Sequence, residues 1–148
     1  MPDTYTNLLV HVVFSTKSRD KNLTADVRRE LYSYLTALTR KSGSKALAAN
    51  GGLDHVHLLV LLPPNVTISD LVRFLKANSS RWIRGKFNRT FAWQSGYGAF
   101  SVSRSRFGEV RDYIDGQVEH HKRVSFENEF VSLLKRNEIE FESERLWV

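Results

Sequence analysis

Residues 54–64 read Asp54-His55-Val56-His57-Leu58-Leu59-Val60-Leu61-Leu62-Pro63-Pro64. An apolar run stopped by two prolines, which lack the N–H that a ladder needs, is a strand over residues 54–62. Upstream, Gly51-Gly52 separates it from residues 45–49, and two adjacent strands around a turn fit that spacing. Further out, residues 8–14 are apolar and β-branched, broken only by His11, and read as a buried strand followed by a polar loop at 15–22. Between these strands Val27, Leu31, Tyr34, Leu35 and Leu38 recur at helical spacing, with Thr24 as N-cap and Gly43 as the stop. Downstream, Thr67 or Ser69 caps a second helix whose seam is Ile68, Leu71, Leu75, Asn78 and Trp82. Residues 86–96 lack a period and form a loop, and residues 97–103 alternate weakly as a strand. A third helix starts near Phe107 with Val110, Ile114 and Val118 on its buried stripe, and Ser125 caps a fourth through Leu134. The order β-α-β-β-α-β predicts an α+β, ferredoxin-like (RRM-like) sandwich: an antiparallel sheet with helices on one face plus an appended C-terminal helix.

Length and composition agree with one domain spanning residues 1–148, since 148 residues at 41% hydrophobic content suffice for a single core. There are no cysteines, which excludes disulfides and thiolate metal sites. The longest apolar run, residues 56–62, is too short to span a bilayer, and the N-terminus lacks a signal pattern; a soluble cytoplasmic protein without a membrane partner is expected. The formal net charge of +6 is unevenly spread. Residues 71–108 contain no acid but carry Arg73, Lys76, Arg81, Arg84, Lys86, Arg89, Arg104 and Arg106. Phe74, Trp82, Phe87, Phe91, Trp93 and Tyr97 lie among them, a mixture suited to a phosphate backbone with unstacked bases. A solvated helix face followed by a basic loop is the plainer reading of the same stretch.

His55 and His57 are two apart on a strand, so both imidazoles leave the same face and can approach one metal ion, while Val56 and Leu58 point the other way. Paired histidines on a strand also occur as structural groups, and a metal needs a third ligand. Gln117, His120, His121, His11 and Asp54 are the candidates. Tyr113 and Gln117 stand four apart on the third helix, one turn above each other. A phenol, with a pKa of about 10, attacks at neutral pH only where a cation stabilises the phenolate or the developing charge.

The segment Leu53-Asp54-His55-Val56-His57-Leu58-Leu59-Val60 resembles the paired-histidine signature of the single-tyrosine HUH transposases of small bacterial insertion sequences, which include the REP-associated tyrosine transposases. Leu75-Lys76 with Ser79-Ser80, residues 93–103, and Tyr113-Ile114-Asp115-Gly116-Gln117 with His120-His121 resemble the family's next helix, strand and catalytic helix, so the similarity runs over about residues 5–130. Gly51-Gly52-Leu53 departs from the family's bulkier strand end, and the acidic residues 138–144 match nothing in it.

The resemblance implies a metal site of His55, His57 and Gln117 for Mg2+ or Mn2+, with Tyr113 as catalytic nucleophile on a phosphate of single-stranded DNA. It implies a 5′-phosphotyrosine intermediate, a free 3′ hydroxyl that can reverse the reaction, hairpin recognition near the element's ends, and a homodimer that can share active sites. The eight cations between Arg73 and Arg106, with His120 and His121, are the expected DNA contacts. Three rival readings are a non-catalytic single-stranded nucleic-acid-binding module, a domesticated relative that processes hairpins of the host chromosome, and a metallohydrolase that uses water.

Overall fold

The computed structural model describes residues 3–147. Strands form where the apolar runs stand: β1 (Leu8–Ser15), β2 (Lys45–Gly51), β3 (His55–Leu62) and β4 (Gly98–Val102). All pairings are antiparallel, in the order β2-β3-β1-β4, with a bulge in β2 between Ala46 and Ala48. Helices α1 (Ala25–Lys41) and α2 (Ile68–Lys86) cross over between the strands, which completes the expected ferredoxin-like α+β sandwich. No helix among the described residues is long and apolar enough to cross a membrane.

The helix ends are chemically marked. Thr24 is the N-cap residue of α1, and Gly43 follows its end at φ +92°, a left-handed conformation that favours glycine. Thr67 caps α2 by accepting from the Asp70 amide at 3.2 Å. Helix α5 (Phe126–Arg136) starts from Ser125, whose hydroxyl accepts from the Asn128 amide at 3.2 Å.

The sheet is covered on both faces, which is why β1 and β3 read as nearly continuous apolar runs. On one face Val12, Phe14, Val56, Leu58, Val60 and Leu62 pack against Leu31 and Leu35 of α1 and Leu71 and Leu75 of α2. The buried seam of α2 is Leu71, Val72, Leu75, Ser79 and Ile83, rotated from the expected line through Asn78 and Trp82. Trp82 instead stacks on Tyr34 at 4.8 Å, at the margin where an indole keeps its polar edge wet.

The opposite face carries Leu9, Val13 and Leu59 beneath α3 (Phe107–Asp115), α4 (Gln117–His120) and α5. The expected single third helix is thus divided at Gly116 (φ −89°, ψ 10°). Backbone bonds bridge the division, Gly116 to Asp112 and His120 to Gly116, each 3.0 Å, but the chain changes direction. Gln117 turns into the interior, and Val118, expected on the buried stripe, is 53% exposed.

Candidate metal and nucleophile site

The second face of β3 places His55 and His57 under α3–α5, fully enclosed. Across the sheet His57 is the register partner of Val13, and His11 stacks on its ring at 5.0 Å. Gln117 enters from the start of α4 and Tyr113 from α3, with the Tyr113 ring 5.8 Å from His57. The tyrosine, the glutamine and both histidines that sequence reasoning singled out therefore meet in one place.

A fifth side chain, absent from that reading, lies at their centre. Glu129 of α5 is 3% exposed. Its Oε1 lies 2.9 Å from His57 Nε2, 3.0 Å from His121 Nε2 and 3.7 Å from His55 Nε2. Its Oε2 accepts from the Gln117 amide at 2.9 Å and from the Tyr113 hydroxyl. The signal was present in the sequence: on α5 the apolar stripe Phe126, Phe130, Leu133 and Leu134 has one carboxylate set into it, at Glu129.

The outer partners of the histidines matter as much as the centre. Asp54 Oδ1 lies 2.8 Å from His55 Nδ1, and a carboxylate can only accept, so the ring hydrogen sits on Nδ1. Nε2, when unprotonated, then turns its lone pair to Gln117 Oε1, itself an acceptor, at 3.1 Å. Facing lone pairs require a cation between them, either a proton or a metal ion. His57 Nδ1 is 2.7 Å from His11 Nε2, which likewise ties its outer nitrogen and leaves Nε2 pointing inward. An imidazole held at one nitrogen by a second polar group is the usual arrangement of a metal ligand. The donor set therefore fits a divalent ion.

Gly51 and Gly52 make room for this arrangement. A Cβ on Gly52 would stand 2.8 Å from His55 Cε1, and one on Gly51 would stand 2.2 Å from the His55 carbonyl oxygen. The departure in the sequence before β3 is thus an adaptation to the close approach of His55.

Burial governs the electrostatics. It pushes His57 down to about 4 despite the Glu129 hydrogen bond, and His11 to about 3, with His57 adding to the effect. Both rings are neutral at physiological pH, the state that ligates. Burial and the bond to Glu129 hold the Tyr113 phenol well above its ordinary value. For Glu129 burial acts upward, but hydrogen bonds from His121 and His57 outweigh it and hold the carboxyl well below the usual range.

The expected DNA contacts divide into groups. Arg73, Arg81, Arg84, Lys86, Arg89, Arg104 and Arg106 are exposed, although Arg73 pairs with Asp70 at 3.2 Å, Arg106 with Glu109 at 2.8 Å and Lys86 with Glu30. Lys76 is half-buried, donates to the carbonyls of Gln94, at 2.7 Å, and Gly96, and is pushed down to about 8 by burial. His120 and His121 face Glu129 rather than the basic surface, with His120 Nε2 3.3 Å from Oε2. The interleaved aromatics are partly taken up by packing. Phe91 is in the core and Phe74, Trp82, Phe87 and Trp93 pack against it, because the segment must bury its own apolar surface. Tyr97, 39% exposed, is the exception. It lines a groove with Arg73, Lys76, Arg84 and Trp93, between α2 and the loop before β4.

Residues 4–117 match the family model of IS200-like transposases. The chain is 31% identical over 124 residues to the transposase for insertion sequence element IS200 of Salmonella typhimurium, covering 78% of this chain and 80% of that one. It is 26% identical over 114 residues to the ISDra2 transposase TnpA of Deinococcus radiodurans, covering 72% and 81%. A solved REP-associated tyrosine transposase bound to a REP hairpin has the same fold, with a TM-score of 0.63, 18% identity, and coverage of 82% and 73%. With its paired histidines, tyrosine and glutamine gathered on that fold, this chain belongs to the IS200-like transposase family.

Proposed function

We propose that this transposase cleaves and rejoins single-stranded DNA through a 5′-phosphotyrosine, with Tyr113 as nucleophile and a Mg2+ or Mn2+ ion held by His55, His57 and Gln117. The observation that carries the reading is the convergence of Tyr113 with the inward nitrogens of both histidines and the Gln117 amide around one buried point. A divalent ion bound there supplies Lewis-acid polarisation of the scissile phosphate and offsets charge in the transition state.

The chain's own groups account for the rest. Tyr113 enters as the neutral phenol, with its hydrogen directed at Glu129 Oε2. Its oxygen bonds to phosphorus as the P–O bond to the 3′ oxygen breaks, so the 5′ side stays on the enzyme and the 3′ side leaves as an alkoxide. The phenolic proton is released and one is taken up by that oxygen, giving a free 3′ hydroxyl. Attack by a 3′ hydroxyl on the phosphotyrosine reverses these bonds, and no nucleotide triphosphate is consumed. His11 and Asp54 hold the histidine rings in the ligating tautomer. Residues 1–148 act as one cytoplasmic domain, as a homodimer on hairpin-bearing strands. Tyr113 meets the histidines of its own chain, which favours attack in cis. The exposed arginines of α2 and the loop after it track phosphates, and Tyr97 offers one stacking face.

Hairpin-bearing single strands from the DNA flanking the gene, incubated with and without Mn2+, test the reading on a denaturing gel. A metal-dependent covalent adduct that vanishes in Tyr113→Phe and His57→Ala is expected. Cleavage that survives Tyr113→Phe would overturn the assignment of the nucleophile, and binding without any adduct would reduce the chain to a binding module.

A further inference from the structure

We infer that Glu129 is itself a metal ligand, supplied by α5 from beyond the segment shared with the family model, and that its two oxygens divide the work between ion and nucleophile. The inference rests on the metal reading above and extends it to a residue outside residues 4–117.

Four donor atoms, one each from His55, His57, His121 and Glu129, lie within 4.8 Å of one another. Three of these side chains are buried, and among the described residues Glu129 is the one glutamate in the cluster. A buried carboxylate is stabilised by a cation beside it, and a divalent ion among these four donor atoms would stand within reach of Glu129 Oε1. The two oxygens of Glu129 also face different partners. Oε1 faces the imidazole nitrogens of His57, His121 and His55, the atoms available to an ion. Oε2 holds the Gln117 amide and the Tyr113 hydroxyl. One carboxylate thus ties the nucleophile to the ion's position, and α5 becomes part of the catalytic centre. A set of imidazoles with a carboxylate also prefers Mn2+ or a later first-row ion to Mg2+, whose habit is oxygen ligands and retained water.

Calorimetric titration of the full chain with Mn2+ tests the assignment. Glu129→Gln keeps the size of the side chain and its ability to bond Tyr113, and should weaken Mn2+ binding at least about tenfold. Unchanged or tighter binding would overturn the inference. His57→Ala separates the two levels of the argument: if it loses Mn2+ and Glu129→Gln does not, Glu129 alone is wrongly assigned, whereas if both bind normally the metal centre itself is refuted. Should Glu129→Gln fail to fold, the unmutated protein labelled with 13C-carboxyl glutamate gives the same decision. A resolved 13C hyperfine coupling to bound Mn2+ in double-resonance EPR supports the bond, and no coupling overturns it.

Discussion

The two faces of β3 have the same backbone and nearly the same burial, yet they depend on their surroundings in opposite ways. Val56, Leu58, Val60 and Leu62 pack against α1 and α2 and need only shape and volume from their neighbours. His55 and His57, one residue out of phase, need a named polar partner at each ring nitrogen: Asp54 and Gln117 for one, His11 and Glu129 for the other. Period-two alternation lets a single strand anchor the fold and build the site at once. Stability and chemistry should therefore separate when one face is changed without the other.

The largest effect is expected on the apolar face. Leu58→Ala should cost about 2–5 kcal/mol of unfolding free energy, measured in urea, with Mn2+ affinity of the folded protein unchanged. A matching loss of affinity would show that the faces are not independent.

The polar face should answer to acid. The folded-state values of His57 and His11 are depressed, to about 4 and about 3, from an ordinary 6.5. Between pH 6.5 and about 4 the unfolded chain thus binds protons that these folded rings refuse, so stability falls as pH falls. Their contribution is fully present above pH 6.5. His121 is raised by its bond to Glu129 against the effect of burial and works in the opposite sense, its contribution being lost as pH rises through its folded value. Urea midpoints should still decline on acidification, and a His11→Phe, His57→Leu double variant should flatten the curve. A variant as acid-sensitive as the parent would place the cause elsewhere.

Third, His11→Phe removes the group that ties His57 Nδ1 and should weaken Mn2+ binding by about 10–100-fold with a much smaller change in thermal stability. Smaller still, Gly52→Ala should push the His55 ring aside and lower Mn2+ affinity by up to about tenfold. Its counterpart on the other layer is Gly85→Ala in α2, where a Cβ meets nothing within 4 Å, and there a gain of about 0.5–1 kcal/mol in stability is expected with no effect on the metal. If Gly52→Ala leaves affinity intact, His55 has more room than its position implies.

The fold was legible because its signals are local. The apolar run of residues 54–62 with its two prolines, the helical spacing of Val27 to Leu38, and caps at Thr24, Thr67 and Ser125 are each settled within a few residues, and each element formed where the pattern stood. The division of the third helix at Gly116 was not legible, since one glycine in an otherwise helical pattern is compatible with either course until packing turns Gln117 inward.

For the site, the sequence by itself determined that His55 and His57 share a face and that Tyr113 and Gln117 stand near one another. What joins these pairs was decided by tertiary structure alone. Glu129 reaches His57 across 72 positions of sequence, and His11 reaches it across 46, distances over which no periodicity carries information. A basic segment likewise looked like a base-stacking surface until its aromatics were seen against the core. The physical reason is common to all three: side-chain spacing dictates which groups leave one face of an element, but only the packing of α5 and α2 on the sheet dictates what those groups meet.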